Sequence, residues 1–172
     1  TSTHHKRAEQ GSWVYEIPEA GFSCLVAPVH RLPAVNRSVK LTGWVERRRE
    51  IAARYDAAFA DLDAVRTIRM REDSTCAYHL YVIQLDLGML TVGRERIFDT
   101  LQAEGIGVNV HYIPGHYHPF YRENFDMEEG LCPVAEAAYE RILTLPVFPR
   151  MTEADVEDVI RAVRKVLGEY RR

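Results

Sequence analysis

The chain has 172 residues, 47% of them hydrophobic and 27% charged, with a formal net charge of -3 and a pI near 6.2. That length and polarity argue against a disordered chain, since a chain of this size buries roughly 70% of its unfolded surface. The near-neutral balance carries no electrostatic footprint for nucleic acid or an anionic membrane. No apolar run approaches the ~18 residues of a membrane span, and the polar N-terminus lacks a signal-peptide pattern. Cys24, Cys76 and Cys132 lie far apart without a Cys-x-x-Cys pair, which points to a reducing, cytoplasmic setting.

Residues 1–12 are polar and are expected to be mobile. Trp13, Tyr15 and Phe22 follow as an aromatic patch. Residues 23–43 hold Pro28 and Pro33 and no clean periodicity, which argues against one continuous helix there. Trp44, Arg48, Ile51, Tyr55, Phe59 and Leu62 recur at three- and four-residue steps. They predict an amphipathic helix with Glu46 to Arg49 solvated at its start. Tyr78 to Leu85 reads as a strand, with His79 as a core histidine. Residues 94–104 read as a helix with Ile97, Phe98 and Leu101 inward and Gly105 as its stop. Ile106 to Tyr112 alternates and reads as a second strand, and residues 113–131 as an ordered loop. Residues 134–142 are a predicted helix and Leu143 to Phe148 a short strand. Thr152 and Asp155 form a capping box, Val156, Val159, Ile160, Val163 and Leu167 line one face of a last helix, and Gly168 stops it. The alternation of helices and strands implies an α/β fold, a small sheet packed with helices.

The densest polar cluster is His111-Tyr112-Ile113-Pro114-Gly115-His116-Tyr117-His118-Pro119-Phe120-Tyr121-Arg122. It follows a predicted strand directly, where sites are usually built. Imidazole and phenol groups hydrogen-bond hydroxyls and phosphates, and aromatic faces stack on a sugar or a uracil. A loop whose aromatics cover a sheet edge explains the same composition. His111, His116 and His118 also raise a metal reading, although no Cys or carboxylate sits at a short ligand spacing. Composition and spacing alone reach a polar-ligand loop and not a reaction.

Longer strings narrow the field. They are Trp-Val-Tyr-Glu-Ile-Pro-Glu-Ala-Gly-Phe (13–22), Val-Glu-Arg-Arg-Arg-Glu-Ile-Ala-Ala-Arg-Tyr (45–55) and His-Leu-Tyr-Val-Ile (79–83). After them come Glu-Gly-Ile-Gly-Val-Asn-Val-His-Tyr-Ile-Pro (104–114), His-Pro-Phe-Tyr-Arg (118–122), Cys-Pro-Val-Ala-Glu (132–136), Leu-Thr-Leu-Pro-Val-Phe-Pro (143–149) and the final helix. In order and spacing these segments resemble the C-terminal part of the DegT/DnrJ/StrS sugar aminotransferases, nearest to the UDP-4-amino-4,6-dideoxy-N-acetyl-sugar transaminases.

The resemblance implies the small C-terminal domain of a fold-type-I enzyme, beginning with a long helix at 44 and running to 172. Residues 1–43 would then be an irregular remnant of the large domain. It implies pyridoxal phosphate as the family cofactor, a nucleotide-linked (UDP) keto-sugar as substrate, and a homodimer. The stretch 111–118 would close over the nucleotide-sugar side, and His111, Tyr112, Pro114, His116, His118 and Tyr121 are the expected substrate contacts. Transamination needs a lysine that forms a Schiff base with the cofactor. The chain has Lys6, Lys40 and Lys165, and none stands in the family's lysine context. Where the family continues Asn-Tyr-Arg after Gly-Phe, Ser23, Cys24 and Leu25 stand here. The expectation is a chain inactive alone, with no cofactor bound and with self-association through the aromatics of 1–43. The rival expectations are a nucleotide-sugar-binding or assembly module completed by a partner chain, and a metal-binding protein using His111, His116 and His118.

Overall fold

The computed structural model describes residues 13–17, 40–71 and 73–172. Ser23, Cys24, Leu25, Lys6 and the proline-bearing stretch up to residue 39 lie outside the described residues.

Helix α1 spans Leu41–Phe59, and Ile51, Ala52, Tyr55 and Phe59 form its buried stripe. The predicted stripe extended back to Trp44 and Arg48, but Trp44 is exposed and Arg48 half-buried. The last helix, α5 (Glu153–Glu169), runs parallel to α1 and begins opposite Arg47, whose guanidinium meets Glu153 at 2.7 Å. Trp44 therefore lies beyond the start of the helix pair. Arg54 with Glu153 and Glu157, and Arg164 with Asp61, continue the seam along the exposed edge.

Strand β1 (Val65–Thr67) was too short to show a period in the sequence. Strand β2 is Tyr81–Leu85 and starts three residues later than predicted, because Tyr78 takes a left-handed φ of 44° and bends the chain. His79, carried on that bend, is exposed and is not the core histidine expected. Asp86 caps a 3-10 turn at Leu87–Met89 by accepting the Gly88 N–H at 3.1 Å. Helix α2 covers Arg94–Ala103, and Gly105 closes it at φ 83°, a value that glycine adopts without Cβ strain.

Ile106 to Tyr112 does alternate, with Ile106, Val108 and Val110 buried. It makes only a single bridge, Asn109 with Thr144. The adjoining N–H groups are satisfied locally: Val108 donates to the Ile106 carbonyl and Val110 to Asn109 Oδ1. With those donors used, the ladder stops, so the predicted second strand is not a strand.

The predicted 113–131 loop holds two short helices. These are a 3-10 turn at Gly115–Tyr117 and helix α3 at Pro119–Phe125. Proline at N1 and a left-handed Asp126 at the end are the signals that mark α3. Helix α4 is Pro133–Tyr139, and β3 is Ile142–Leu145, stopping at Pro146, which has no N–H to extend a ladder. The Thr152–Asp155 capping box is present in both directions. Gly168 is not a stop, since α5 continues to Glu169.

The sheet has the order β1-β2-β3 and is antiparallel throughout, with Val65 opposite Leu85 and Ile83 opposite Leu143. This is an α/β fold in which α1, α2 and α5 pack together with the small sheet. The core joins Tyr55 and Phe59 to Ile83, Leu85, Phe98, Leu143, Leu145, Val156 and Val163. Trp13 and Val14 belong to it as well. The Trp13 ring meets Phe98 at 4.4 Å, so this aromatic is a core residue and not the exposed remnant expected.

One buried polar contact anchors the centre. Burial pushes the Tyr55 phenol up, and its hydroxyl donates to the Pro146 carbonyl at 3.0 Å. Tyr55→Phe should cost about 1–2 kcal/mol, because the buried carbonyl is left unpaired. A urea midpoint equal to that of the native chain would refute this.

Candidate functional site

The polar loop starts where the Asn109–Thr144 bridge anchors the chain to β3. His111 Nδ1 lies 3.0 Å from Thr144 Oγ1, and Nε2 lies 3.4 Å from Asn109 Nδ2. Burial, and then the nearby His79, hold its pKa below the ordinary imidazole value. His111, His79, Asn109 and Thr144 line a small pocket of about 280 Å³ at the sheet edge. Tyr112 packs edge-on to the His111 ring at 4.8 Å and is 58% exposed.

His116 is buried and faces elsewhere. Its Nε2–H donates to Glu136 Oε1 at 2.7 Å. The same carboxylate accepts the N–H groups of Gly130 (2.9 Å) and Cys132 (3.0 Å). One side chain on α4 thus ties together the 3-10 turn and the bend that follows α3. The Cys132 N–H first, and then His116 and the Gly130 N–H, hold the Glu136 carboxyl below its usual range against the opposing effect of burial.

His118 is buried beside Tyr15, with ring centroids 5.5 Å apart. It lines a cavity of about 460 Å³ together with Arg94, Tyr117, Arg122 and Tyr139. Pro114 is half-buried, and its carbonyl accepts the Tyr117 N–H that closes the 3-10 turn. Tyr121 is exposed on α3 against Phe120 and Phe125. The six expected contacts therefore do not converge on one pocket. His111 faces the smaller pocket and His118 the larger one. His116 is spent on Glu136, and Tyr121 lies on the outer side of α3.

The larger cavity contains groups that the pattern of residues did not single out. Arg94 is 3% exposed, with its guanidinium 4.9 Å from the Trp13 ring and 4.7 Å from Tyr139, and it donates to the Tyr139 carbonyl. Burial, and then Glu136, push the Tyr117 phenol up to about 12. Glu16, Glu95, Glu129 and Glu140 outnumber Arg94 and Arg122 in the lining, so the described walls do not favour a polyanion. Arginine at a helix start normally reads as surface. Glu136 did have a signal, the Cys-Pro-Val-Ala-Glu string.

The metal reading fails on geometry. His111, His116 and His118 are engaged with different neighbours, and the described residues contain no group of three His, Cys, Asp or Glu that could hold an ion. Among the described residues, no helix is long and apolar enough to cross a membrane.

The two described lysines do not fit a pyridoxal phosphate site. Lys40 is an exposed residue at the start of α1, and Lys165 donates to Glu104 at 2.8 and 2.9 Å on the surface of α5. A Schiff-base lysine needs a desolvated amine near the substrate. Lys165 instead borders a separate groove between α5 and the Gly105 turn.

Residues 20–164 match the DegT/DnrJ/EryC1/StrS aminotransferase family. Over 164 residues the chain is 36% identical to protein MJ1066 of Methanocaldococcus jannaschii, covering 95% of this chain and 42% of that one. It is 35% identical, at the same coverage, to the spore coat polysaccharide biosynthesis protein SpsC of Bacillus subtilis. Among solved structures, the PMP-form of the putative sugar aminotransferase Spr1654 from Streptococcus pneumoniae superposes with a TM-score of 0.76 at 24% identity. That match covers 96% of this chain and 42% of that one. Spr1654 has also been solved in a PLP-form. The chain spans about two fifths of the length of these relatives.

Proposed function

Because the chain belongs to the DegT/DnrJ/EryC1/StrS aminotransferase family, we propose that it is the small C-terminal domain of a transaminase acting on nucleotide-linked keto-sugars. In this reading it works in amino-sugar or surface-polysaccharide synthesis, in a cytoplasmic homodimer. Loop 111–121 faces the sugar nucleotide, with His111, Tyr112 and His118 as its contacts. The carrying observation is the family match across residues 20–164.

The cofactor and its lysine belong to the part of the relatives that this stretch does not span. The stretch by itself is inactive in this reading. The excess of glutamates around the larger cavity supports it, since the diphosphate of a nucleotide sugar then needs basic groups from elsewhere. A second reading, a binding or assembly module completed by a partner chain that supplies the large domain, shares the loop and differs only in where that domain is encoded.

Two measurements test the proposal. The purified chain mixed with pyridoxal phosphate and then borohydride should yield no stoichiometric adduct on one lysine; such an adduct would overturn the assignment of the lysine elsewhere. Saturation-transfer NMR with UDP-N-acetylglucosamine should place the sugar at Tyr112 and His111, and His111→Ala with Tyr112→Ala should abolish the signal. Transfer retained in the double variant would sink the loop's role.

A further inference from the structure

We propose that Asn109 and Thr144 are positioning residues that lock His111 as a neutral imidazole with its proton on Nδ1, so that this pocket takes an uncharged hydroxyl-bearing group and not a phosphate. The hydroxyl assignment rests on the sugar-facing role proposed above. The lock does not.

The backbone determines which way the Asn109 amide faces. The Val110 N–H donates to Asn109 Oδ1 at 2.8 Å, so that oxygen is an acceptor and the other amide atom is the NH2. This NH2 faces His111 Nε2 at 3.4 Å. A proton on Nε2 would set N–H against N–H, so Nε2 carries the lone pair. Nδ1 then carries the proton and donates to Thr144 Oγ1 at 3.0 Å. Thr144 is itself fixed, buried and bridged to Asn109 through both backbone bonds, Asn109 N to Thr144 O at 3.1 Å and Thr144 N to Asn109 O at 2.8 Å. The residues that bridge the chain to β3 are therefore the residues that select the tautomer.

The titratable groups around the ring agree. His79 faces it across the pocket from the bend before β2, Tyr112 packs at its edge, and the described lining contains no carboxylate to stabilise an imidazolium. The 3.4 Å contact is long for a hydrogen bond, whereas a hydroxyl donor approaches to about 2.8 Å, so a ligand hydroxyl can take the Nε2 lone pair. A fully ionised phosphate has no proton to give and meets no positive charge there.

Long-range 1H–15N NMR of the histidine rings tests this on the full chain, with His111→Gln supplying the assignment. His111 should show a protonated Nδ1 and an unprotonated Nε2 at pH 7. Asn109→Ala and Thr144→Val should each shift the ring toward a mixed tautomer and raise its titration midpoint toward that of an exposed histidine. Thr144→Val preserves side-chain volume, and Asn109→Ala preserves the backbone bridge, so either can report if the other unfolds. Dimethyl phosphate, which has no P–OH proton at pH 7, should leave the His111 signals in place at millimolar concentration. A proton on Nε2, an imidazolium at pH 7, or folded variants with unchanged tautomer would overturn the lock. A His111 shift with dimethyl phosphate would overturn the hydroxyl assignment alone. Sugar transfer retained in the His111→Ala, Tyr112→Ala double variant would leave the tautomer result intact and count against the proposed function instead.

Discussion

Trp13→Ala should destabilise the chain by about 3–5 kcal/mol and lower its thermal midpoint by roughly 10 °C, as expected for removing a large ring from a packed core. Trp13 is 6% exposed, meets Phe98 at 4.4 Å, and lies under the Arg94 guanidinium. Phe98→Ala should cost a similar amount, and the double variant should cost less than the sum, because each side chain already lines the cavity left by the other. Arg94→Lys should also destabilise: the flat guanidinium fills the gap between Trp13 and Tyr139 and reaches the Tyr139 carbonyl, which an ammonium cannot reproduce. Denaturant unfolding of the four variants measures all of this. A Trp13→Ala cost below about 1 kcal/mol would mean that residues 13–17 are not part of this core.

Glu136→Gln should open the segment between α3 and α4 while leaving the main core intact. The glutamine keeps the shape but turns one acceptor oxygen into an NH2 that faces a donor, either the His116 Nε2–H or the Gly130 or Cys132 N–H. Amide exchange at Gly130 and Cys132 should speed up by about tenfold or more, with the strand amides of β2 unaffected.

The effect also has a pH signature. The folded pKa of Glu136 is depressed, so its stabilisation is fully present above the ordinary carboxylate range. It is lost as pH falls through the lower folded value. In the native chain, exchange at Gly130 should therefore accelerate, beyond its intrinsic pH dependence, as pH falls below the ordinary glutamate range. In Glu136→Gln that extra acceleration should vanish. Parallel pH profiles in the two proteins would show that Glu136 does not hold the loop.

Local signals carried most of the elements. The stripes of α1, α2 and α5 and the Thr152–Asp155 capping box depend on contacts three or four residues apart, so they were readable from spacing. The family was legible for a similar reason: short strings in register carry information that composition lacks. What spacing could not show was where a donor spends its hydrogen bond. Ile106 to Tyr112 had the alternation of a strand, yet the Val110 N–H goes to Asn109 Oδ1 and the ladder ends after one bridge. The same applies to the site. His111, His116 and His118 are neighbours in the chain, and their closeness suggested one cluster. The 3-10 turn at Gly115–Tyr117 points them apart, toward Thr144, Glu136 and Tyr15 respectively. Those partners lie on β3, on α4 and near the N-terminus, distant in sequence. The order of residues determined which chemical groups this protein has and where its three long helices run. Only the tertiary structure decided which groups face each other, because each pairing depends on a donor, an acceptor or a ring from another element.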